Sequence, residues 1–83
     1  MDVRKRLGSN LRRLREGAGH TQEVFADVAG IHRTYVSDLE RGQRNPTIVV
    51  VDKLATALRV KLGDLLDDPT LEPETSGPGS DHS

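Results

Sequence analysis

The chain has no cysteine and no tryptophan, and its 83 residues include one tyrosine and one phenylalanine. Without cysteine it forms no disulfide, thiol nucleophile or thiolate metal site. The longest aliphatic run, residues 48–51, is too short to span a bilayer, and the amino terminus lacks the apolar stretch of a signal peptide. These absences predict a small, soluble, cytoplasmic protein with a modest aliphatic core.

The formal net charge of −1 conceals an uneven distribution of charge along the chain. All 12 lysines and arginines lie in residues 1–66, where eight acidic residues leave a formal charge of +4. Residues 67–83 carry five acids and no base, and they are rich in proline, glycine and serine. We therefore expect a basic folded part, suited to a polyanion at contact distance, and a disordered acidic tail.

Apolar residues recur at helical spacing near both ends of the basic part. A first helix is predicted over residues 3–17, with an apolar stripe formed by Val3, Leu7, Leu11 and Leu14. A fourth helix is predicted from a Thr47 cap to about residue 59, with Ile48, Val51, Leu54, Ala55 and Leu58 facing the core. The β-branched residues 48–51 alone would favour a strand, but the periodic continuation favours helix. A short fifth helix is predicted over 62–66.

The central segment between Thr21 and Pro46 has the signals of two short helices joined by a tight turn. Thr21 can cap the first of them, and Gly30 can take the positive φ that ends it sharply. The buried side of that helix is predicted to be Val24, Phe25, Val28 and Ala29. The next helix is predicted over about residues 32–41, with Val36 and Leu39 facing the core.

Three motifs in this segment are typical of one family: T-Q-E-x-x-A at 21–26, the helix-ending Ala29-Gly30, and R-T-Y-x-S-x-x-E-R-G-x-R-N-P from Arg33. With its flanks, the segment resembles the lambda-repressor-like, or xenobiotic-response-element, helix-turn-helix family over about residues 7–66. Within that family it looks most like the controller proteins of restriction–modification systems.

The resemblance implies an all-α fold, a compact five-helix lambda-repressor-like DNA-binding domain. We place this domain at residues 1–66, with the helix-turn-helix at about 21–41 and the disordered tail at 67–83. The implied function is sequence-specific binding of double-stranded DNA by a homodimeric transcriptional regulator on a pseudo-palindromic operator. The recognition helix, about residues 32–41, would lie in the major groove.

Two groups of residues are candidates for DNA contact. If Val36 and Leu39 face the core, helical spacing directs the predicted base-contacting residues outward: Arg33, Thr34, Ser37 and Asp38. The resemblance implies DNA-backbone contacts by Gln22, Arg44 and Asn45, and His32 and Tyr35 are further candidates for such contacts. Tyr35 could equally be a core residue, His32 a helix cap, and Asn45 a turn residue before Pro46.

Two acids of the recognition helix have other predicted partners. The family resemblance implies that Glu40 forms an intramolecular ion pair with an arginine of the first helix, and we expect Arg12 or Arg13. Asp38 would repel phosphate unless it accepts a hydrogen bond from cytosine or orients Arg33 or Arg41, and it could confer specificity by exclusion.

A domain of this size buries roughly 60% of its unfolded surface, so a second subunit is a common source of stability. Val49 and Val50 lie off the predicted core stripe of the fourth helix. We predict a two-fold dimer interface formed by Val49, Val50, Leu62, Leu65 and Leu66.

The main alternative is an antitoxin-like or adaptor protein whose chief role is protein–protein interaction. An enzyme is disfavoured because no nucleophile–base arrangement, metal-ligand spacing or phosphate-binding glycine loop is present. We expect no catalytic residue, metal or cofactor. RNA polymerase is a possible partner if the protein is an activator, with Glu23, Asp27 or the tail as candidate contacts.

Overall fold

The structure, a computed structural model, describes residues 2–68 and contains five α-helices and no strand within that range. The helices are α1 (Val3–Gly17), α2 (Gln22–Ala29), α3 (Arg33–Glu40), α4 (Ile48–Leu58) and α5 (Leu62–Leu66). The predicted all-α, five-helix architecture is confirmed. Most of the predicted tail, residues 69–83, lies outside the described residues.

Side-chain caps begin α2 and α4 where the sequence predicts them. The Thr21 hydroxyl accepts a hydrogen bond from the Val24 N–H at 3.1 Å, and the Thr47 hydroxyl accepts one from the Val50 N–H at 3.2 Å. α5 begins differently, since the preceding residue is Lys61, which cannot accept. There the carboxylate of Asp64 accepts from the Lys61 N–H at 2.9 Å, so a residue inside the helix supplies the cap.

One hydrophobic core joins all five helices, with α1 packed against α3 and α5, and α2 packed against α3 and α4. Phe25 is fully buried and its ring meets the His20 ring in a T-shaped arrangement, with the centroids 6.3 Å apart, while the other apolar residues of the core are small or aliphatic. The buried cluster consists of Leu7, Leu11, Phe25, Ala26, Ala29, Val36, Leu39, Val51, Leu54, Ala55 and Leu65. This core fixes the orientation of α3, whose Val36 and Leu39 are both buried.

The prediction of core positions is wrong for three residues, which are exposed instead. Val24 and Val28 are 50% and 53% exposed, because the buried side of α2 is Phe25 with two alanines, and helical geometry turns both valines away from it. Ile48 is 59% exposed at the first position of α4, where it lines a surface groove with Pro46. Periodicity located these helices correctly, but it did not decide which side of α2 is covered.

Gly8 permits the close approach of α1 to α3. A Cβ atom at this position would clash with the carbonyl oxygen of Leu39 and lie 2.7 Å from that of Glu40. Any larger residue would therefore force the two helices apart. Gly8 thus helps to set the position of the last turn of α3.

α5 is held through its backbone carbonyl groups by side chains of α1. The buried Asn10 donates from Nδ2 to the carbonyl oxygens of Leu65 at 2.9 Å and Asp67 at 2.8 Å, and Arg6 donates to that of Leu66 at 2.8 Å. Leu65 itself is fully buried in the core of one chain. Its predicted place in a dimer interface is therefore wrong, because it offers no surface to a second copy.

Candidate nucleic-acid interface

A tight turn connects α2 to α3 and fixes the angle between them. Gly30 has φ = 73°, and its N–H donates to the Asp27 carbonyl, while the Ile31 N–H donates to the Ala26 carbonyl at 3.0 Å. This pairing is the Schellman motif, which glycine makes possible because it has no Cβ to strain at positive φ. Ile31 packs partly buried against the core. The turn is thus anchored on both sides.

α3 has a buried side and an outward side. Val36 and Leu39 are buried, whereas Arg33 and Thr34 are exposed and Ser37 and Asp38 are partly exposed. The outward stripe follows the i, i+3, i+4, i+7 spacing of one helix face. Its members are Thr34, Ser37, Asp38 and Arg41, with Arg33 at its edge. The four residues predicted to contact bases therefore lie together on accessible surface, and Arg41 extends the same stripe.

Arg33 is an available cation at the start of α3. Its side chain makes no hydrogen bond or ion pair with any residue between 2 and 68. It lines an open groove of about 430 Å³ together with residues at the end of α1 and the start of α2, which are Arg15, Thr21, Gln22 and Glu23. The start of α2 and the start of α3 therefore face a common space.

A buried ion pair holds the other end of α3. Arg15 donates from Nε to one oxygen of Glu40 at 2.6 Å and from Nη2 to the other at 3.0 Å, and the two side chains are 9% and 4% exposed. Arg15 also donates to the carbonyl oxygen of His20 at 2.8 Å. The Glu40 carboxylate raises the pKa of the Arg15 guanidinium. The pair thus ties α1, the following loop and α3 together.

The predicted intramolecular pairing of Glu40 is correct in kind, but its partner is Arg15, not Arg12 or Arg13. Arg15 follows Gly8 by seven residues, so it lies on the face of α1 that packs against α3. Arg12 instead pairs with Glu16 at 3.2 Å on the surface, and Arg13 donates to Asn10. The packing face of α1 selects the arginine.

Gln22 is the first residue of α2, and His32 immediately precedes the first residue of α3. The side-chain amide of Gln22 donates to Glu40 at 3.1 Å, which tethers the start of α2 to the buried ion pair. His32 is the N-cap residue of α3 by position, but its side chain makes no capping hydrogen bond and is exposed. Backbone N–H groups in the first turn of a helix lack intrahelical acceptors, and such helix ends favour phosphate.

Asp38 is the centre of a second, more exposed network. Its two carboxylate oxygens accept from Arg41 Nη2 at 2.7 Å and from Arg44 Nε at 3.2 Å. The hydroxyl of Ser37 accepts from Arg41 Nη1 at 2.8 Å. Of the alternatives considered from the sequence, Asp38 therefore pairs with Arg41 and not with Arg33, and it also pairs with Arg44.

Tyr35 and Arg44 form the border between this network and the core. The Arg44 guanidinium lies 5.0 Å from the centroid of the Tyr35 ring, within the range of a cation–π contact. The ring is partly buried against the core cluster. Asn45 is exposed in the loop that follows. Tyr35, in the first turn of α3, is therefore brought together with Arg44 from the loop after the helix, and Asn45 is the next residue of that loop.

The remaining predicted dimer residues are accessible to different degrees. Val49 is 71% exposed, and Val50, Leu62 and Leu66 are partly buried.

Between residues 2 and 68 no set of acidic and histidine side chains is arranged as a metal site. None of the five helices there has the length and hydrophobicity of a transmembrane segment.

The fold and this surface define a helix-turn-helix domain whose second helix, α3, has an accessible outward face. A family model described as helix-turn-helix matches residues 11–65. An uncharacterised HTH-type transcriptional regulator of Sinorhizobium fredii is 47% identical over 66 residues, which cover 80% of this chain and 86% of the relative. The chain therefore belongs to the lambda-repressor-like helix-turn-helix family of transcriptional regulators.

Relatives within this family include proteins of restriction–modification systems. The control protein C.BamHI of Bacillus amyloliquefaciens is 38% identical over 71 residues, which cover 84% of this chain and 88% of that protein. The crystal structure of the restriction-modification controller protein C.AhdI from Aeromonas hydrophila has a TM-score of 0.72 at 44% identity. That match covers 75% of this chain and 94% of the controller protein.

Proposed function

We propose that this protein is a transcriptional regulator that binds double-stranded DNA sequence-specifically as a homodimer on a pseudo-palindromic operator. The observation that carries the proposal is the outward stripe of α3, held by a buried ion pair at one end and a Schellman turn at the other. A helix fixed in this way can enter the major groove as a rigid body and present its side chains to base edges.

In this function the predicted base-reading residues are those of the stripe, Thr34, Ser37 and Asp38, together with Arg33. Arg33 can donate two hydrogen bonds to O6 and N7 of guanine, and its lack of an ion-pair partner between residues 2 and 68 supports that role. Thr34 can contact a thymine methyl group or donate its hydroxyl. Ser37 and Asp38 lie one turn further along the same face.

The proposed phosphate contacts flank this stripe on both sides. Gln22 and His32 stand at helix starts, where backbone N–H groups and the helix dipole favour anions. Arg44 and Asn45 lie in the loop after α3, and Arg44 contacts the ring of Tyr35 in the first turn of that helix. Such contacts position the domain on the duplex and contribute affinity that depends on salt more than on sequence.

The homodimer is proposed through an apolar surface made by α4 and α5, with Val49, Val50, Leu62 and Leu66. Val49 supports this surface because, at 71%, it is the most exposed large hydrophobic side chain among residues 2–68, and a second subunit would cover it. A two-fold axis here would place two recognition helices on half-sites about one DNA turn apart.

The experiment that tests the function is in vitro selection of bound duplexes from a random-sequence library at about 150 mM salt. We expect an enriched inverted repeat. A folded protein that enriches no motif would contradict sequence-specific binding and favour the adaptor-like alternative.

Two arginine variants separate base reading from phosphate contact. On selected and scrambled duplexes, Arg33→Ala should relax base preference at one position per half-site. Arg44→Ala should weaken binding to all sequences alike and reduce the salt slope by about 1. Equal losses from both variants on all duplexes would contradict these roles.

The dimer is tested by light scattering at tens of micromolar protein. We expect a dimer that Val49→Ser weakens. The matched control is Val28→Ser, which removes the same side chain from an exposed site on α2 and should leave the mass unchanged. A monomeric wild-type protein would refute the homodimer without refuting DNA binding.

A further inference from the structure

We propose that Asp38 determines sequence specificity by competing with DNA for Arg41 and Arg44, and so penalises duplexes that offer its carboxylate no new donor. The inference rests on the proposed DNA-binding function, and it assigns to an acid on the recognition helix a part in rejecting incorrect sequences. It also adds Arg41, which was not among the predicted contacts, to the DNA-facing surface.

Both oxygens of the Asp38 carboxylate are already paired with arginines in the free protein. One oxygen pairs with Arg41 and the other with Arg44, at 2.7 Å and 3.2 Å. One negative charge therefore holds two positive charges on the surface that would meet DNA. The free protein presents these arginines already oriented, but not as independent cations.

Asp38 and its two arginine partners differ in their freedom to move. The Arg41 and Arg44 side chains are 56% and 48% exposed, so both can turn toward an approaching duplex. The Asp38 side chain is 17% exposed and its short stem is fixed to the middle of α3. When phosphates or bases attract the arginines, the carboxylate stays where it is.

Once its arginines have turned toward DNA, the Asp38 carboxylate needs a new hydrogen-bond donor. A carboxylate left unpaired beside a polyanion, and partly shielded from water, loses its hydrogen bonds and is repelled. The major groove offers two amino donors, cytosine N4 and adenine N6, and cytosine is the usual partner of a carboxylate. A duplex with cytosine at this position satisfies Asp38, whereas guanine or thymine leaves it unpaired.

Arg33 lies outside this network, which makes the inference specific. Because Arg33 has no ion-pair partner between residues 2 and 68, the loss of the Asp38 charge should leave the base preference attributed to Arg33 unchanged. The inference therefore predicts that one preference within a half-site is lost and another is retained.

The test compares wild-type protein with Asp38→Asn, which keeps the shape of the side chain and removes its charge. The matched control, Asp52→Asn, makes the same change in net charge at an exposed site on α4. Each protein is used in the random-duplex selection, and its affinity for the selected and a scrambled duplex is measured by fluorescence anisotropy. Circular dichroism confirms folding, and Asp38→Glu, which retains the charge, serves as a second variant.

We expect Asp38→Asn to bind the scrambled duplex about tenfold more tightly than Asp52→Asn does, with a similar fall in the ratio of selected to scrambled affinity. Its selected motif should lose a cytosine while keeping the position read by Arg33. Asp38→Glu should bind scrambled DNA about as weakly as wild type does.

Three results would overturn the inference while an enriched wild-type motif left the proposed function standing. They are identical behaviour of Asp38→Asn and Asp52→Asn, an equal gain of Asp38→Asn on both duplexes, or an Asp38→Glu variant that behaves like Asp38→Asn. No motif for the wild-type protein would instead refute the proposed function itself, and the inference with it.

Discussion

Two acids on α3, only two residues apart, both pair with arginines but differ in how deeply they are buried. Glu40 and Asp38 each accept hydrogen bonds through both carboxylate oxygens from arginine side chains. The Glu40 side chain is 4% exposed and its partner Arg15 is 9% exposed, whereas the Asp38 side chain is 17% exposed and Arg41 is 56% exposed. One pair is interior to the fold and the other lies on its surface.

Burial, and not the identity of the ions, decides what such a pair can do. Breaking a buried pair leaves one charge without water or partner, so the pair acts as a permanent structural link. An ion pair with exposed arginines contributes little to stability, because each guanidinium is already largely solvated by water. The Arg15–Glu40 pair can therefore hold α3 in place, while the Asp38 network remains free to exchange partners.

The largest expected effect follows from breaking the buried pair with Glu40→Ala. The substitution removes both hydrogen bonds that Arg15 donates to Glu40 and leaves the Arg15 guanidinium a longer contact of 3.8 Å to the exposed Glu16 carboxylate, and we expect the free energy of unfolding to fall by about 3–5 kcal/mol. Urea unfolding followed by circular dichroism at a fixed protein concentration measures this loss.

Asp38→Ala is the control for this prediction, because it removes an acid of the same helix from an exposed pair. We expect its cost to stay within about 1 kcal/mol. Similar losses for the two variants would show that the difference in exposure has no energetic meaning.

A smaller effect is expected from Gly8→Ala, which acts on the same end of α3 without touching any charge. The new methyl group would meet the carbonyl oxygens of Leu39 and Glu40, so α1 must shift away from α3. Overpacking of this kind costs about 1–3 kcal/mol. Thermal unfolding, again at one protein concentration, gives the change.

Gly17→Ala provides a control within the same helix, since a Cβ at that position meets no atom within 4 Å. Alanine is the better helix former, so this variant should gain up to about 1 kcal/mol. Opposite signs for the two substitutions would confirm that contact with α3, and not helix propensity, explains the glycine at position 8. A gain for both would show that the helices can separate without loss.

Local signals made most of the fold predictable from the sequence. Thr21 and Thr47 cap their helices, and Gly30 ends α2. These features were predictable because each depends on interactions within a few residues. The buried side of α2 was not predictable in the same way. With apolar residues at five of eight positions, periodicity alone allows more than one face, and the packing of α3 and α4 decides that Val24 and Val28 remain exposed.

The candidate site was predictable where helix geometry alone determines it. The outward stripe of α3 follows from the burial of Val36 and Leu39, so its residues could be predicted from helical spacing. The prediction did not include Arg41. The partner of Glu40 required tertiary information, because three arginines lie within four residues of α1 and only the packing at Gly8 selects Arg15. Burial of Leu65 depends likewise on how α1 holds α5.

The smallest expected effect concerns a third acid, Asp2, which sharpens the comparison because it is the most exposed of the three. Its carboxylate accepts from the side chain and the backbone N–H of Arg4, and these contacts lower the pKa of Asp2 from 3.8 to about 2. Carbon-13 NMR of the carboxyl group during a pH titration should detect this value. Arg4→Ala should raise the pKa toward the ordinary value but leave it below, since the backbone N–H of residue 4 still donates at the helix start.

The consequence for stability has a definite sign. Because the pKa of Asp2 is lower in the folded chain, its contribution is present above the unfolded value near 3.8 and is lost as the pH falls toward about 2. Acid unfolding of Arg4→Ala should nevertheless begin at almost the same pH as in wild type, because water screens a pair this exposed. A normal Asp2 pKa would contradict the contact, whereas a large change in acid stability would show that exposed pairs in this protein contribute to the fold after all. That last result would also remove the reason for treating the Asp38 network as free to exchange its arginines with DNA.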